Sequence, residues 1–68
     1  MNKDITLSTG EVVKARRAKV KDMKLVQNIK NDIDRETTLI GNLTQKTVEE
    51  IDELDMSDYA LLQKELLL

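Results

Sequence analysis

Ile5-Thr6-Leu7-Ser8-Thr9-Gly10-Glu11-Val12-Val13-Lys14-Ala15 is the stretch that decides the fold. Ile5-Thr6-Leu7 alternates apolar and polar, Ser8-Thr9-Gly10 is turn chemistry, and Val12-Val13 resumes a β-branched run, so a β-hairpin is expected over residues 5–17. Gly10 is the residue there that reaches positive φ at least steric cost, as a three- or four-residue loop requires. A two-stranded hairpin alone is marginal in water. It must pack on the rest of the chain or pair with another chain.

Beyond the hairpin the period becomes helical. Leu25, Ile29 and Ile33 stand at i, i+4 and i+8, Met23 and Val26 widen the stripe, and Asp22 is placed as an N-cap. The stripe resumes at Ile40 and Leu43. Asn31, Asp32 and Asp34 are poor mid-helix residues and good caps, so a break is expected near them, with one continuous helix as the alternative. Thr47 followed by Glu50 forms a capping box ahead of Val48, Ile51 and Leu54. Asp55 and Ser57 offer a fresh cap, and Tyr59, Leu62 and Leu66 then recur at i, i+3 and i+7. Helices are therefore expected near residues 22–32, 34–45, 48–54 and 57–67. The fold class is α+β, mainly α, and without proline or a linker the chain reads as one small unit over residues 1–68.

A chain of 68 residues has a thin stability margin, and with no Cys and no His neither disulfides nor a zinc site can reinforce it. Self-association or a client protein remains, so a homo-oligomer is one expectation. The same two absences remove the usual neutral-pH base and the usual thiol nucleophile, and no glycine-rich loop accompanies the carboxylates. The chain reads as non-enzymatic, with no cofactor. No apolar run approaches the ~18 residues of a membrane helix, and Met1 to Asp4 lack a signal-peptide pattern, so a cytoplasmic location without membrane contact is expected.

Net charge is only -2, yet it is unevenly spread. Lys14, Arg16, Arg17, Lys19, Lys21 and Lys24 crowd one stretch, and Glu49, Glu50, Asp52, Glu53, Asp55 and Asp58 another. The basic stretch supports an alternative function, a small DNA-binding regulator. Against nucleic acid stand the acidic total, the position of the arginines at the very end of the hairpin, and the lack of an aromatic platform for single strands. The acidic stretch has no Gly of the kind a Ca²⁺ loop needs and reads as a solvated helix face.

The leucine-rich end is the candidate contact surface. A small core can claim Leu62 and Leu66, whereas Leu61, Leu67 and Leu68 point in other directions. Tyr59, Leu61, Leu62, Leu66 and Leu67 are accordingly taken as partner-binding.

Leu43-Thr44-Gln45-Lys46-Thr47-Val48-Glu49-Glu50-Ile51-Asp52-Glu53-Leu54-Asp55-Met56-Ser57-Asp58-Tyr59 resembles the second half of the small tail assembly chaperones of contractile-tailed phages, the E-type and Mu-like proteins. Leu7, Gly10 and Val12 are similar to that family's opening hairpin, and Arg17 through Asp22 and Met23 to its arginine, spacer and aspartate. Two departures fall on loops. Ala18 and Lys19 replace a proline that members often carry after the arginine, and Gln45 replaces a glycine after Leu-Thr. The resemblance implies a phage or prophage protein of tail morphogenesis that coats the tape measure protein in the host cytoplasm, often with a longer frameshifted companion product.

Overall fold

A computed structural model describes residues 2–67; Met1 and Leu68, the last of the leucine tail, lie outside the described residues. Strands β1 (Asn2–Thr6) and β2 (Val12–Arg16) form an antiparallel pair with Ile5 opposite Val13 and Lys3 opposite Ala15. The pairing starts before Ile5 because a backbone ladder needs no apolar side chains, and the hydrophobic pattern could not reveal those residues. At the tip the Gly10 N–H donates to the Leu7 carbonyl at 2.9 Å and the Leu7 N–H to the Glu11 carbonyl at 2.8 Å. Gly10 has φ +91°, which makes Ser8-Thr9-Gly10 the expected three-residue glycine loop. Ile5, Leu7, Val13 and Ala15 line the buried face, while Thr6, Val12 and Lys14 face out.

The helices are α1 (Val20–Val26), α2 (Asp32–Thr44), α3 (Val48–Asp52) and α4 (Met56–Leu67). The break is real. Asn31 caps α2, its side-chain oxygen accepting from the N–H groups of Ile33 and Asp34 at 3.0 and 3.1 Å. The capping box also forms: Thr47 Oγ1 accepts from the Glu50 N–H at 3.1 Å, and the Glu50 carboxylate from the Thr47 N–H at 2.9 Å. These bonds hold the Glu50 carboxyl below its ordinary range.

The first helical stripe needs correcting. Val26 is buried and Ile29 half-buried, but Met23, Leu25 and Ile33 are among the most exposed apolar residues. A shared face over positions 25, 29 and 33 requires one helix through all three. Here α1 stops at Val26 and α2 restarts at Asp32 in a new phase. Asp22 is likewise not the N-cap. It lies in the first turn of α1, after Lys19 at the cap position, and its side chain turns inward.

The core joins the inner face of the hairpin to Ile40 of α2, Ile51 of α3 and Leu62 of α4. Leu54, Tyr59, Leu61, Leu66 and Leu67 pack around it, half-buried. The loop from α2 to α3 passes very close to Gly41, where a Cβ would stand 2.7 Å from the Lys46 carbonyl oxygen. Gln45 ends α2 in the left-handed conformation, φ 59° and ψ 38°. That is the position where the family pattern has glycine, and the loop keeps glycine-like geometry without it.

Candidate protein-binding groove

The basic stretch does not act as one patch. Arg16 turns onto Asp22, with Nη1 to Oδ2 at 2.7 Å and Nη2 to Oδ1 at 2.6 Å. Asp22 also accepts from the Lys19 N–H at 2.8 Å and from Asn42 Nδ2 at 2.7 Å, so α1, α2 and β2 meet at one buried carboxylate. The Arg16 hydrogen bonds, followed by that from Lys19, hold the Asp22 carboxyl far below the usual carboxylate range. Lys14, Arg17, Lys19, Lys21 and Lys24 stay exposed. Arg16 thus serves the fold, and the five remaining cations are spread over the outside of β2 and α1.

The acidic stretch divides in the same way. Glu49, Glu50, Asp52, Glu53 and Asp55 are largely solvent-facing, but Asp58 is buried and accepts hydrogen bonds from Ser8.

The structure draws the leucine-rich helix inward. Leu62 is fully buried, and Leu61 and Leu66 are half-buried against the core. Tyr59 donates from its hydroxyl to Glu36 Oε1 at 2.6 Å, and Gln63 Nε2 donates to the same oxygen at 2.6 Å. Burial, then the Glu36 carboxylate beside it, push the Tyr59 hydroxyl pKa upward. Leu67 has a second role, because it lines a groove of about 620 Å³ between α1 and α2.

That groove has an apolar floor of Val26, Leu39 and Leu67. Val20 and Met23 form its α1 wall and are 70% and 68% exposed. Asp32, Arg35 and Glu36 form the α2 wall, with Arg35 paired to Asp32. Val20 and Met23 were missed from sequence, although a signal existed. Four of the seven α1 residues are apolar, and a helix lying on a surface buries one stripe only. Besides Met56 at the start of α4 and Ile33 on α2, the exposed large apolar residues of the helices gather on α1, in Val20, Met23 and Leu25. Exposed apolar residues beside a floor they cannot enter form the kind of surface on which a second protein gains free energy by covering them.

A hairpin, four short helices and an open apolar groove between α1 and α2 make up this small α+β fold. The chain belongs to the family of phage tail assembly chaperone proteins, E, or 41 or 14, whose model matches residues 5–67. No curated protein and no solved structure matches it. Among the described residues no helix is long and apolar enough to cross a membrane.

Proposed function

We propose that this chain is a non-catalytic chaperone of tail assembly that holds the tape measure protein in the host cytoplasm, through the groove between α1 and α2 and the adjoining end of α4. One observation carries the reading: Val20 and Met23 stand exposed over a floor completed by Leu39 and Leu67. Membership of the tail assembly chaperone family supports an assembly role, and a long helical client suits a groove walled by helices. Burial of an exposed Val or Met contributes roughly 1.5 to 3 kcal/mol, so two or three such contacts contribute about 3 to 9 kcal/mol before association costs, and further contacts along the client are needed for micromolar affinity. A reversible holder needs that range. Co-expression with the tape measure protein of the same phage tests the proposal. The parent chain is expected to keep the client soluble and to co-purify with it, and Met23→Gln with Val20→Gln to lose capture while retaining a native circular dichroism spectrum. Undiminished capture by that folded variant would move the site to the part of α4 outside the groove, where Leu61→Gln with Leu66→Gln is the next pair to test.

A further inference from the structure

The groove is asymmetric in charge. On the α1 side Lys19 lines it, and Arg17 and Lys24 flank the exposed Val20 and Met23 in sequence. Among the described residues none of these three cations takes part in an ion pair, and the one acid of α1, Asp22, is committed to Arg16. The α2 side keeps one negative charge, on Glu36, whose two donors are neutral. Arg35 is paired with Asp32, and Glu36 already accepts from Tyr59 and Gln63. The free positive charge at the groove therefore lies along α1, opposite the Glu36 carboxylate on α2.

Both walls also limit the shape of an occupant. They are helices, so neither offers a strand edge to pair with. A partner must satisfy its own backbone, and a helix does so. The seven-residue α1 gives a wall of about 10 Å, or two turns of a docked helix. From these two constraints we infer that the groove takes an amphipathic helix whose apolar stripe, at i, i+3 or i+4, and i+7, is bordered by carboxylates on the edge that meets α1. The other edge, which meets Glu36, carries no carboxylates. This inference rests on the groove being the client site and adds the sign of charge that selects the client segment.

The test uses the full chain and two dye-labelled helical peptides of ~18 residues, identical in their leucine stripe, one with Glu and one with Lys along a single flank. Fluorescence anisotropy at low salt is expected to show the Glu-flanked peptide binding about tenfold more tightly, the gap narrowing toward ~0.5 M salt as screening grows. Lys19→Glu with Lys24→Glu is expected to invert the preference, and Met23→Gln to weaken both peptides alike. Equal affinity for the two peptides, or no binding of either, overturns the inference. So does self-association that excludes the peptides and disappears in Met23→Gln, which would give the groove to a second copy. Failure here is separable from failure of the client assignment. Loss of tape measure capture in Met23→Gln with no discrimination between peptides keeps the site and rejects the charge rule. Intact capture by Met23→Gln, beside selective binding of the Glu-flanked peptide by the parent chain, does the reverse.

Discussion

Asp58 and Ser8, fifty positions apart, are joined by two hydrogen bonds of 2.9 Å: one carboxylate oxygen accepts from the Ser8 N–H and the other from its hydroxyl. The hairpin tip is thereby fixed to the first turn of α4, beside the outermost part of the core. Two hydrogen bonds to a carboxylate are lost with it, so Asp58→Ala is expected to destabilise the chain by about 1–3 kcal/mol. In a double-mutant cycle with Ser8→Ala, followed by urea denaturation, the coupling should exceed about 0.5 kcal/mol. Additive effects would show that the pair stabilises nothing.

Asp22 makes stability depend on acid. Its folded pKa is depressed, so the stability it contributes is fully present above the unfolded value near about 3.9 and is lost as pH falls below that toward the folded value. Glu50 and Glu65 are depressed as well, Glu65 by its 2.5 Å pair with Lys3, and they act in the neighbouring acid range. The readout is therefore the difference between the parent and Asp22→Asn. At pH 7 the variant should be less stable by about 2 kcal/mol, and the two urea curves should converge as pH drops below about 4.

Gln45 sits at φ 59°, where a side chain is crowded and glycine is not. Gln45→Gly is expected to raise stability by about 1 kcal/mol, or roughly 4–8 °C in Tm for a chain of this size. Gly41→Ala should act in the opposite sense. The atom its Cβ would meet is backbone, the Lys46 carbonyl oxygen at 2.7 Å, which cannot rotate away. A higher Tm for Gly41→Ala would show that the α2–α3 loop gives way.

With Arg16 committed to Asp22, the remaining cations should bind duplex DNA only weakly and without sequence preference. Anisotropy titrations are expected to show binding at low salt that vanishes by ~0.2 M, because phosphate contacts alone carry it. Nanomolar, sequence-selective binding at physiological salt would instead support the regulator reading.

Sequence alone determined the hairpin with its Gly10 loop, the Thr47 capping box and the order of the helical segments, and it offered the break near Asn31 with one continuous helix as the alternative. Each of these is a bond or a φ angle set within three or four positions of the residue that signals it, so contiguous sequence contains the whole interaction. Tertiary structure alone decided which charges are spent inside and which apolar residues are left outside. Asp22 meets Asn42 across 20 positions and Ser8 meets Asp58 across 50, and no local pattern distinguishes these two aspartates from the exposed Asp52 or Asp55. The same holds for apolar surplus. Leu61 and Leu66 found cover because the hairpin and α2 lie beside α4, whereas Val20 and Met23 did not, because α1 is too short to turn more than Asp22 and Val26 inward. Burial is a property of the neighbour as much as of the residue, and the neighbours are chosen by the fold.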